Sequence, residues 1–156
     1  MGRRGRVLAL PGFILLALSA GLAGSRWLPG MWYVGLTKPS WNPPAWVFGP
    51  VWTFLYVTMG VAAWLVWRRA GWRGARGALL LFGLQLGLNA LWSYVFFGAH
   101  LMGWGLVEML VLWAAILATA RAFARHSRTA GWLLAPYLAW VAFAAVLNFT
   151  LWRLNA

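Results

Sequence analysis

The chain has 156 residues, 63% of them hydrophobic, and its 13 lysines and arginines stand against one acidic residue for a net charge of +12. So apolar a composition leaves too little polar surface to cover a water-soluble globule, which makes this an integral membrane protein. The arginines are spread between apolar segments instead of forming one patch, so no nucleic acid is expected; the lack of cysteine removes disulfides and thiolate chemistry, and His100 and His126, both in expected loops, give no metal site.

Five apolar stretches can cross a hydrocarbon core of ~30 Å, which takes roughly 20 helical residues. They run over about 7–26, 44–67, 77–97, 103–123 and 131–152. Unpaired amides are costly in lipid, so each stretch is expected to be helical. The connections are short and rich in glycine or arginine, which leaves no room for a soluble domain. The expected fold is all-α: a single five-helix membrane bundle over 1–156. At the start, Arg3, Arg4 and Arg6, an apolar run and the small residues 20–25 also fit a cleavable signal peptide. The near-spanning length favours a retained helix.

Between the first two stretches, the loop over about 27–43 reads as a rigid lid carrying Trp32, Lys38, Pro39, Asn42, Pro43 and Pro44. Each proline fixes its own φ and pushes the preceding residue toward extended geometry, so a helix begins no earlier than Pro44. Asn42 is expected to cap it. Trp41 and Trp46 flank the boundary between water and lipid. The second helix then carries Trp52, Tyr56, Ala63 and Trp67 along one stripe, and Pro50 inside it predicts a kink, as Pro136 does in the fifth.

In the third helix, Gln85, Asn89, Trp92 and Phe96 share one face and Gly83, Gly87, Ala90 and Tyr94 the opposite one. Amides are expensive in lipid unless paired, so the first face is expected to look inward. The Gly83, Gly87 and Ala90 face is smooth enough for close helix approach and suggests a homodimer contact. The fourth helix adds Trp104 and Glu108, the fifth Tyr137, Trp140, Ala144 and Asn148. By helical rise, Trp52, Trp92 and Glu108 lie roughly 10 Å below the outer boundary, with Trp140 deeper and Asn148 shallower. Aromatic faces with a few amides suit a flat, mostly apolar ligand. Glu108, the lone acid, is expected either to contact that ligand or to be structural.

An odd number of spans puts the amino terminus and the second and fourth loops on one side. That side holds Arg3, Arg4, Arg6, Arg68, Arg69, Arg73, Arg76, Arg121, Arg125 and Arg128, against Arg26, Lys38 and Arg153 on the other. The amino terminus is therefore expected in the cytoplasm and the lid outside.

Several motifs, in chain order, carry a resemblance: Trp32-Tyr33-x-x-Leu36-x-Lys38-Pro39-x-Trp41-Asn42-Pro43-Pro44-x-Trp46, Pro50-Val51-Trp52-x-x-Leu55-Tyr56, Gln85-Leu86-x-Leu88-Asn89-x-x-Trp92, Met102-Gly103-Trp104, Pro136-Tyr137-Leu138-Ala139-Trp140 and Leu147-Asn148. Together they resemble the translocator protein family, whose bacterial members are called tryptophan-rich sensory proteins and which includes the mammalian peripheral benzodiazepine receptor. The resemblance implies a five-helix bundle, usually dimeric, with a pocket under the first loop for porphyrins such as protoporphyrin IX. It also implies light-dependent porphyrin breakdown and a part in tetrapyrrole and stress regulation. Trp52 and Trp140 match the two tryptophans tied to that photochemistry. Tyr56, Asn89, Trp92, Trp104, Ala144 and Asn148 match pocket positions; Trp41, Gln85, Glu108 and Tyr137 join them as ligand-binding candidates. Phe149 stands where the sterol consensus needs a tyrosine, which speaks against a sterol partner. No cofactor is expected beyond the porphyrin as ligand, and a bacterial cell membrane is the expected location. A transporter or channel for porphyrin or sterol-like solutes, or a signalling subunit with a membrane partner, are the other functions in view. The sequence shows neither an inverted repeat nor a chain of intramembrane charges to favour transport.

Overall fold

The apolar runs become helices because the backbone has no other way to satisfy itself in lipid. The computed structural model describes residues 7–156, so Arg3, Arg4 and Arg6 lie outside the described residues. The helices are α1 (Leu10–Gly24), α2 (Met31–Gly35), α3 (Ala45–Gly74), α4 (Arg76–Ser93), a π-helical turn (Tyr94–Gly98), α5 (Met102–His126), α6 (Arg128–Trp132) and α7 (Ala135–Asn155). Among the described residues, four helical segments are long and apolar enough to cross a membrane: Ala45–Gly74, Arg76–Gly98, Met102–His126 and Arg128–Asn155. The apolar α1 is shorter: its 15 residues extend about 22 Å at helical rise.

Boundaries depart from the sequence expectation where a single residue decides them. Past Trp67, α3 runs on to Gly74 and bends at Gly71, whose φ of 65° and ψ of −179° are open to glycine alone. The bend returns Trp72 to stack on Phe13 at 5.9 Å. Asn42 does not cap α3. Pro44 is the N-cap residue in extended geometry, and the Asn42 amide donates instead to the Pro43 carbonyl. Pro50 does lie inside α3, but Pro136 is in the first turn of α7, where its missing N–H leaves no bond unmade, and the chain breaks before it between α6 and α7. Ser127 caps α6 by accepting from the Ala130 amide.

Around the bundle, α1 packs on α3 and α4, α4 on α5, and α5 on α7; between α3 and α7 the backbones hardly approach. Small residues let the tight seams close. Ala17, Ala62 and Ala63 are fully buried, and a Cβ at Gly60 would stand 2.6 Å from the Ile14 Cα. Leucines such as Leu15, Leu84 and Leu110 point outward, the reverse of a soluble protein and the right finish for a surface in hydrocarbon.

Candidate functional site

The lid is fastened on every side. Lys38 caps the short α2, donating from Nζ to the carbonyls of Val34 and Leu36 at 3.1 and 3.0 Å, and lies 4.7 Å above the Tyr33 ring. The Tyr33 hydroxyl donates to Asn42, and burial pushes its phenol above the ordinary range against that bond's opposite pull. Pro39 closes a turn by accepting from the Asn42 amide N–H. Trp32 stacks on His100 at 4.1 Å, with His100 held at a φ of 58°. At the far end, Asn155 near the end of α7 pairs with both backbone groups of Thr37, accepting from its N–H at 2.8 Å and donating to its carbonyl at 2.9 Å. That two-point bond copies the pairing between strands.

Beneath the lid, Trp92 stacks on Phe96 at 5.0 Å and donates to Asn148, whose amide donates in turn to the Met102 carbonyl. The π-helical turn widens the helix here and aims both Phe96 and Phe97 at Trp92 and the lid rings. One layer deeper, Tyr56 donates to Asn89, and Asn89 donates to the Tyr137 hydroxyl at 2.9 Å. Three helices are thereby tied by one amide. Trp52 stacks on Tyr56 at 5.5 Å and meets Tyr137 edge-on at 6.2 Å. Gly21 of α1 makes room for the Tyr56 ring, since a Cβ there would lie 2.5 Å from it.

The sequence candidates therefore separate. Trp52, Tyr56, Asn89 and Tyr137 form one bonded and stacked group across α3, α4 and α7, and Trp92, Phe96 and Asn148 form a second beneath the lid, with Trp92 packed on both cores. Trp140 stands beside the first group, edge-on to Phe48 and tilted against Phe143, and Ala144 packs half-buried on the core. Gln85 is buried, but its amide donates to the Met59 sulfur and its Oε1 has no partner. Glu108 is half-buried with both carboxylate oxygens enclosed and unbonded. Trp104 does not join: it is 67% exposed on the outer face of α5, because its place on that helix faces away from α4 and α7. Trp41 reaches the cluster only at its rim, edge-on to Phe143. Pro43 is half-buried in the lid and Pro44 exposed. On α4, Gly83 and Gly87 face open space, whereas Ala90 backs onto Gly24 of α1 and is not on that free face.

A groove of about 390 Å³ runs between α3 and α7, open on its outer side and lined by residues that include Phe54, Leu55, Ala139, Trp140 and Phe143. Sequence reading missed Phe48, Phe143, His100 and Asn155. Helical spacing from Trp140 could have found Phe143. No local signal marks Asn155, whose partner lies far away along the chain.

The matched sequence spans the lid, the aromatic cluster and the end of α7, for residues 13–153 fit the TspO/MBR family. The chain belongs to that family. It is 46% identical to the translocator protein of Homo sapiens over 149 residues, which cover 92% of this chain and 88% of the relative. It is equally 46% identical to the tryptophan-rich protein TspO of Chlorobaculum tepidum over 155 residues, 96% of this chain and 98% of that one. Protein CrtK of Rhodobacter capsulatus is 35% identical over 148 residues, 92% of this chain and 90% of its own.

Proposed function

We propose that this TspO/MBR family member binds a porphyrin, with protoporphyrin IX as the type, in the aromatic cluster beneath the lid. The observation that carries the reading is that cluster: Trp52, Tyr137, Trp92 and Phe96 from three helices bring ring faces and edges together, with Trp140 and its groove alongside. Indole and phenyl faces suit a flat conjugated ring. The amides of Asn89 and Asn148 each spend one of two N–H donors and their oxygen within the protein, so the acidic side groups of the porphyrin are met first by Lys38, a cation that spends two of its three N–H donors on carbonyls. Under illumination the excited porphyrin supplies the reactivity, and Trp52 and Trp140 are the nearby indole donors. Phe149 lies exposed on the outer face without a hydroxyl, so no sterol is proposed.

The topology belongs to the same reading: five spans including α1, a cytoplasmic amino terminus, the lid outside and a bacterial cell membrane, with homodimers formed through Gly83 and Gly87. Because the chain has no cysteine, a single Ser40→Cys or Thr129→Cys variant, each at an exposed position, reports its side of the membrane to an impermeant thiol reagent. Labelling of Ser40→Cys from outside the cell is expected, and labelling of Thr129→Cys from outside would reverse the orientation.

The binding test is a protoporphyrin IX titration in the dark, followed by absorbance under light, with Trp52→Phe and Trp140→Phe alongside. Saturable quenching of tryptophan fluorescence supports binding. Porphyrin loss in light that both variants slow adds the photochemistry. Unsaturable quenching would return the rings to packing.

A further inference from the structure

We infer that the ligand reaches the aromatic cluster sideways from the bilayer, through the groove between α3 and α7, and not from water beneath the lid. The inference rests on the porphyrin reading above. It starts from the contrast between the two ways in. Above the cluster, the lid is held by the two-point Thr37–Asn155 bond, the Trp32–His100 stack and Lys38 across α2. To lift it, polar bonds and ring contacts must break together.

Between α3 and α7 the seam is of another kind. The backbones hardly approach there, and the groove lining is apolar, from Val51 and Phe54 on one side to Pro136, Ala139 and Trp140 on the other. The contact that closes the seam inward at Trp140 is ring against ring, Phe48 on Trp140, while Tyr137, edge-on to Trp52, is held in place by its bond from Asn89. Rings rotate and slide at small cost compared with leaving buried polar groups unpaired. Pro136 through Phe143 forms the first half of α7, within the apolar 128–155 segment, so what meets the groove is hydrocarbon. Trp140 lines the groove and, like Trp52, packs on the buried core that holds Tyr56 and Tyr137, which sets the groove beside the cluster. The occupant that fits is a flat apolar molecule already dissolved in the membrane and passing edge-on. Its polar edge then turns toward Lys38.

The test measures protoporphyrin IX association and release by stopped-flow tryptophan quenching in phosphatidylcholine nanodiscs. Ala139→Phe narrows the groove from an exposed position, with Ala139→Leu as the milder form, and Asn155→Ala loosens the lid. The expected result is that Ala139→Phe slows both rates about fivefold or more while the dissociation constant holds, and Asn155→Ala leaves both rates unchanged. If Asn155→Ala speeds both rates and Ala139→Phe changes neither, the ligand comes under the lid and the inference falls. Weaker affinity in Ala139→Phe with unaltered association makes the groove a seat instead of a passage, which also overturns it. Failure of the wild-type protein to quench saturably removes the porphyrin reading itself, a result distinct from either.

Discussion

Asn89 does for the bundle what no apolar residue could. Its one amide accepts from Tyr56 and donates to Tyr137, so α3, α4 and α7 are registered against each other at a single level. Asn89→Leu leaves two buried hydroxyls facing carbon, and an unpaired buried polar group costs about 1–3 kcal/mol. The variant should melt earlier in detergent than wild type, and Tyr56→Phe introduced into it should restore part of the loss. Glu108 presents the opposite case, since its oxygens are enclosed and unbonded. Removing them should help the fold: Glu108→Leu is expected to raise the melting temperature, a gain of about 1–3 kcal/mol, while weakening porphyrin binding if the carboxyl greets the ligand. A variant both more stable and equally tight would make Glu108 a bystander. The inward face of α4 was legible because an amide in lipid must find a partner, and periodicity said which way it looked. Trp104 was not, because a tryptophan is as much at home against lipid as in a core. Asn42 was misread for a similar reason: its amide had several backbone partners within reach, and spacing alone does not rank them.

At the scale of the element, apolar length announced each long helix, since it is the only pattern that lipid permits. Where each one bends or stops was hidden in single backbone angles. Gly71 is the clearest instance. Nothing lies within 4 Å of the place a Cβ would occupy, so the whole cost of Gly71→Ala comes from its positive φ. Strain of that kind is about 1–3 kcal/mol. Thermal melting of Gly71→Ala should show that loss, together with a blue or red shift in emission as Trp72 leaves Phe13. An unchanged melting temperature would mean that the bend yields. The break before Pro136 was misplaced as a kink because proline tells the same story at the start of a helix as in its middle until the partner carbonyl is known. α1 offers the further lesson that a helix shorter than a bilayer can still be fully committed, through Gly21 under Tyr56 and Gly60 against Ile14.

For the whole molecule, the question is which surfaces are finished. Gly83 and Gly87 leave a smooth strip on α4 where, among the described residues, nothing lies within 4 Å of the place a Cβ would occupy. Gly83→Leu therefore meets nothing within the protomer, and its thermal stability as a monomer should be unchanged. Cross-linking and light scattering should show the dimer lost; a dimer that survives moves the interface elsewhere. Ring order and the loose α3–α7 seam could not be read beforehand, because helix faces say which side is inward but not which neighbour lies beyond it. The π-helical turn at 94–98 carries a last consequence, for how this sequence can drift. Its Ala99 amide reaches back to the Tyr94 carbonyl at 2.7 Å, an extra residue held within one turn. Deleting any one of those residues would restore an ordinary spiral and swing everything beyond it by ~100°, the step of a 3.6-residue turn. His100 would leave Trp32, and the Met102 carbonyl would leave Asn148. Here a lineage can exchange letters far more freely than it can lose one.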